Sequence, residues 1–167
     1  MTPRPVLLLA VYLSLLQASA QHRRTPLYPS AFRIKRGTHT LLNPTFQRSV
    51  EDTALLFEVL LAGMQVEGEG RSMLLPDEEL ASLRCVEKLQ VICEDVLPKE
   101  LSDIRRLAAE LARRRQRLSG PDFERTVLTL MYGAQTPARI SNERQREAWT
   151  DAVVQLFRAL QKDLDPR

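Results

Sequence analysis

The chain has 167 residues, 24 lysines and arginines against 21 acids, a formal net charge of +3 and only 5% aromatic residues. That length fits one domain, and so few aromatics leave the core to aliphatic side chains, which suit helices better than sheets. Residues 1–36 hold six bases (Arg4, Arg23, Arg24, Arg33, Lys35, Arg36) and no acid, which leaves 18 bases against 21 acids, a net −3, for residues 37–167. A nucleic-acid binder needs the reverse, since phosphate neutralisation supplies much of its affinity; nucleic acid is excluded as an expected partner.

Residues 1–20 have the three-part layout of a secretory signal peptide: a positive start at Arg4, an apolar run from Val6 to Leu16 broken only by Tyr12 and Ser14, and small residues Ala18-Ser19-Ala20 at the cut. The apolar run is about half the roughly 20 residues that a spanning helix requires. No later run approaches that length, so no stable membrane insertion is expected. The chain is predicted to be secreted and extracellular, with cleavage after Ala20.

Residues 21–48 are rich in Pro, Arg, Thr and Ser, and Pro26, Pro29 and Pro44 forbid a long helix. They read as a flexible, disordered basic arm. Within it, Arg33-Ile34-Lys35-Arg36 has the spacing that proprotein convertases read in their acidic clefts. Cleavage after Arg36 would make residues 21–36 a propeptide; the alternative is a plain solvated linker.

Residues 49–167 are expected to form the folded body, an all-α compact bundle of about five helices. Ser49 with Glu51 and Asp52 starts the first. Only Glu58 is charged between Ala54 and Ala62, so this helix reads as the central core helix, or as one that keeps an apolar side for a partner or a homodimer. Gln65–Leu75 reads as a surface loop. Pro76 and the acids 77–79 open the second helix. Its apolar phase drifts, so that it either breaks near Arg84 or rotates its buried face before Pro98.

Ser102 or Asp103 starts the third helix, with Ile104, Leu107, Ala108, Leu111 and Leu118 as its stripe and Gly120 as its close. Arg106, Arg113, Arg114, Arg115 and Arg117 lie on this helix. Cations at a C-terminus satisfy the helix dipole; the functional reading is a polyanion patch for heparan sulfate. Pro121 and Asp122 open the fourth helix, with Phe123, Val127, Leu130 and Met131 inward and Gly133 as its stop. Ser141 and Glu143 cap the last, whose stripe is Trp149, Val153, Leu156, Phe157, Leu160 and Leu164.

Cys85 and Cys93 are the only cysteines. In one unbroken helix they stand about 12 Å apart along the axis, against a limit of roughly 7 Å between the Cα atoms of a disulfide. They pair only if the chain turns between them; free thiols are the alternative.

The runs Asp77–Arg84, Asp103–Leu107, Asp122–Leu130 and Leu156–Leu160 resemble the proteins called family with sequence similarity 180, over about Leu27 to Leu164. The resemblance implies a small secreted protein of uncharacterised function and brings no catalytic or binding residues with it.

An enzyme is not expected. His22 and His39 both lie in the arm, so the body offers no held imidazole for a Ser–His or Cys–His pair. No zinc-ligand spacing, HExxH or glycine-rich phosphate loop occurs, and no metal or cofactor is expected. The predicted function is a secreted helical binding or signalling protein with an extracellular protein partner. The alternative is a matrix component held by heparan sulfate.

Overall fold

The computed structural model describes residues 26–35, 37–67 and 73–165. The expected leader, its cut after Ala20, and Arg36 lie outside these residues. The elements are strands β1 (Ala31–Lys35) and β2 (Thr38–Leu42), helix α1 (Val50–Leu61), strands β3 (Gln65–Val66) and β4 (Met73–Leu74), and helices α2 (Glu78–Ala81), α3 (Val86–Val91), α4 (Leu101–Arg113), α5 (Gly120–Gln135) and α6 (Glu143–Leu164). α3 runs on into a π turn, Ile92–Val96, and a 3-10 turn, Thr136–Arg139, links α5 to α6. β1 pairs with β2 and β3 with β4, each as an antiparallel hairpin. The expected mostly helical body is what forms.

Helix ends follow local chemistry. Ser49 accepts from the Asp52 N–H while Asp52 returns to the Ser49 N–H, which closes a capping box on α1. Gly63, at φ 83°, takes the left-handed conformation that ends that helix. Asp77 caps α2, accepting from the Leu80 N–H at 3.0 Å. The chain breaks near Arg84, as one of the two readings required, because α2 stops at Ala81 and α3 begins at Val86. The cap of α6 is Asn142, accepting from the Gln145 N–H at 3.1 Å, and not Ser141.

α4 and α6 pack together more extensively than any other two elements. They bury Ile104, Leu107, Ala108 and Leu111 from one, and Trp149, Ala152, Leu156, Ala159 and Leu160 from the other. Trp149 meets Tyr132 of α5 edge-on, with ring centroids 6.0 Å apart. Phe157 and Leu164, expected in the α6 stripe, are exposed.

The flexible arm is corrected from Pro26 onward. Tyr28, Ala31 and Phe46 are buried in the core, and the hairpin β1–β2 lies between them in sequence. The packed body therefore starts well before residue 49. Prolines had argued only against helix, and a hairpin escapes that argument. The Gln65–Leu75 loop is likewise pinned at its ends: Val66 is fully buried, its N–H donates to Gln135 Oε1 at 3.1 Å, and its carbonyl accepts from Arg139 Nη1 at 3.0 Å.

α4 ends at Arg113, since Arg114 is extended at ψ 138°. Continuing the helix would stack Arg113 on Arg117, a like-charge pair one turn apart. Leu118 thus leaves the expected stripe, and its N–H donates to Asp163 Oδ2 at 3.1 Å. Gly120 opens α5 instead of closing α4, behind the Ser119 cap.

Gly133 is not a stop either; it lies inside α5. A Cβ built there would meet Val153 Cγ2 at 2.7 Å, so the missing side chain is what lets α6 approach α5. Gly133→Ala is expected to cost about 1–3 kcal/mol in chemical denaturation, the usual range for overpacking. A double-mutant cycle with Val153→Ala should show a favourable coupling between the two changes.

Candidate functional site

The inward face of α5 is polar where apolar residues were expected. Phe123, Val127, Leu130 and Met131 are only half-buried, whereas Glu124, Arg125, Thr126 and Thr129 are buried with Leu128 and Tyr132. Charges are buried only when paired or hydrogen-bonded, and each of these has a partner. Glu124 accepts from the Phe46 N–H through Oε1 and from the Gln47 N–H through Oε2, both at 2.8 Å. Arg125 Nη2 donates to Asn43 Oδ1 and, at 2.9 Å, to the Pro44 carbonyl. Its Nη1 lies 3.8 Å from Asp122 Oδ1.

Thr126 Oγ1 donates to the Asp122 carbonyl at 2.7 Å. Its one proton is thereby used, so the Tyr28 hydroxyl is the donor in the 2.8 Å bond between them. Burial pushes the Tyr28 phenol up to about 12, with Thr126 pulling the other way. These groups form a clamp for the N-terminal segment. Sequence reasoning missed them; the available signal was that Asp122–Leu130 is the longest of the runs carrying the family resemblance.

The second feature is α1. It is corrected from central core helix to peripheral helix, because only Leu56 and Val59 are buried. Val50 is 82%, Phe57 62% and Leu61 71% exposed, and Ala54 is exposed between them. Spaced at four, three and four residues, the four side chains make one apolar stripe facing solvent. Single exposed apolar residues are ordinary; four aligned on one helix face are not. Beside its C-terminal half runs a groove of about 580 Å³, lined by Leu60, Met64, Val127, Met131, Gln135 and Arg139.

The arginines predicted as one helical patch are divided. Arg106 is paired with Asp103 at 3.0 Å and lines a small groove beside Leu97 and Pro98. Arg113, Arg114, Arg115 and Arg117 border a different cleft, of about 920 Å³, between the α4–α5 connection and Tyr28. Acids share that cleft: Glu110 and Asp122 line it, and Arg114 lies 3.6 Å from Asp122.

Cys85 and Cys93 are free, so the disulfide is corrected. α3 and the π turn run without a break from one to the other, and the turn that pairing required does not exist. Burial pushes the Cys93 thiol up to about 12. Arg33 and Lys35 stand on β1, opposite Thr40 and Thr38 of β2. Among the described residues no group of three His, Cys, Asp or Glu side chains could hold a metal, and no helix is long and apolar enough to cross a membrane.

Fold and surfaces together define a small helical body that clamps its own N-terminal hairpin and turns an apolar helix face outward. The chain belongs to the FAM180 family, whose sequence profile matches residues 27–164. That match begins with the hairpin segment and not with α1. No solved structure matches the chain.

Removing the clamp should loosen the segment it holds. Glu124→Ala leaves two N–H groups without their charged acceptor, an expected loss of about 2–3 kcal/mol. Hydrogen exchange should show lost protection at Phe46 and Gln47 before any loss in α4 or α6.

Proposed function

We propose that this is a secreted, non-enzymatic protein that acts outside the cell by binding another protein through α1. The observation that carries the reading is the solvent-facing stripe Val50, Ala54, Phe57 and Leu61. About 25 cal/mol per Å² of apolar surface is forgone by leaving it in water, and a partner's surface would recover that. The leader-like residues 1–20 support export, and within the family we place the chain nearest the B member. Cleavage after Arg36 suits the folded body poorly. A convertase takes an extended, unpaired strand, whereas Arg33 and Lys35 stand on a strand paired with β2, and the piece released would carry the core residues Tyr28 and Ala31.

Mass spectrometry of conditioned medium from expressing cells tests the export half: the chain is expected there with Gln21 at its N-terminus. Recovery of the full chain in the cytosol with Met1 attached would overturn it.

A second reading, favoured by the arginine-bordered cleft, is a matrix component held by heparan sulfate. It predicts retention on heparin beyond physiological salt, weakened by Arg113→Ala with Arg117→Ala. Elution at or below physiological salt would reject it.

A further inference from the structure

Resting on the binding reading above, the geometry points to one occupant for the α1 stripe: an amphipathic helix of another protein that carries lysine or arginine along one edge of its own apolar face. Val50 to Leu61 spans about 16 Å at 1.5 Å per residue, enough for a partner helix of about three to four turns. At 3.6 residues per turn, Glu51 and Glu58 line one edge of the stripe, and Thr53 and Leu60 the other. Both glutamates are exposed, and α1 contains no base. The surface is therefore apolar down the middle and acidic along one side.

That one-sidedness argues against a second copy of this chain. In an antiparallel two-fold pairing of α1 with itself, the same edge of each helix meets, so Glu51 and Glu58 would face their own duplicates. In a parallel two-fold pairing the acidic edge would meet the Thr53 and Leu60 edge, where the base in the neighbouring groove, Arg139, already donates to the Val66 carbonyl and Gln65 Oε1. A partner helix with bases at the matching edge satisfies both the stripe and the glutamates. Exposed charge pairs add little affinity but choose between partners and orientations, so the apolar stripe supplies the hold and the acidic edge the selectivity.

The test pans the secreted chain against a display library of helical peptides with randomised apolar and edge positions. Enriched peptides are expected to combine an apolar stripe with lysine or arginine along one edge. A synthetic peptide of that design should bind about tenfold or more weakly to Phe57→Glu, a change at an exposed site that should leave the melting temperature unaltered. Replacing its edge bases by glutamate should weaken it by about 3- to 10-fold.

Enrichment of neutral or acidic helices that Phe57→Glu still abolishes would overturn the charge assignment and leave the binding reading standing. No enrichment, or binding indifferent to Phe57→Glu, would overturn both. Sedimentation of the secreted chain as a stable dimer that Phe57→Glu dissociates would assign the stripe to a second copy instead. Peptide binding by a chain starting at Gln21 but not by the full 167-residue chain would assign it to residues 1–20.

Discussion

Glu124 and Arg125 are both buried on α5, and the chain from Asn43 to Gln47 is hydrogen-bonded to them, Arg125 holding Asn43 and Pro44 and Glu124 holding Phe46 and Gln47. A buried carboxylate must find donors. Here they are two backbone N–H groups lying just before α1. The position of α1 therefore depends on a side chain nearly eighty residues further along the chain. The same turn of α5 offers Thr126 to Tyr28, so both sides of the β1–β2 hairpin are tied to one short stretch. Taking the Glu124 carboxylate away leaves the N–H groups of Phe46 and Gln47 without their acceptor, which costs more than the net worth of the contact.

This arrangement separates the body into a core and a presented element. α4 and α6 bury aliphatic residues against each other, while α5 is held close to α6 at Gly133, where no side chain intervenes. α1 takes little part in that core. It is placed by its capping box, by the clamp before it and by Leu56 and Val59 beneath it. Such a helix can keep an apolar face in water, because its position does not rely on burying that face. Its stripe and the acids at one edge are then available for recognition, and the arginines around residues 113–117 stand over a separate cleft shared with Glu110 and Asp122.

The two free cysteines fit the same division. Cys93 packs in the core with its thiol held neutral by burial, and Cys85 stands one helix length away. Buried in this way, the Cys93 thiol lacks the electropositive, accessible surroundings that make a thiolate reactive. Their separation follows from the continuity of α3 with the π turn, so the core in this region is held by Leu89, Ile92 and Val96 and not by a covalent bridge.

Much of the helical framework was legible in the sequence alone. Caps and breakers act over three or four residues, so Ser49, Gly63 and Pro98 announced their boundaries, and the phase drift near Arg84 left a break as one of two readings. Periodicity also identified the buried stripe of α4 up to Leu111, because that helix has one apolar side. It could not choose a side for α1, which is apolar on two; only the packing of Leu56 and Val59 made that choice. It misread α5 for the opposite reason: Glu124 and Arg125 look like solvent-facing charges until Phe46, Gln47 and Pro44 arrive from a distant part of the chain. Gly133 read as a terminator because its true neighbour, Val153, is on another helix. What local chemistry governs, the chain by itself determined; which face is covered, and by what, was decided by residues far apart in sequence and adjacent only in the folded molecule.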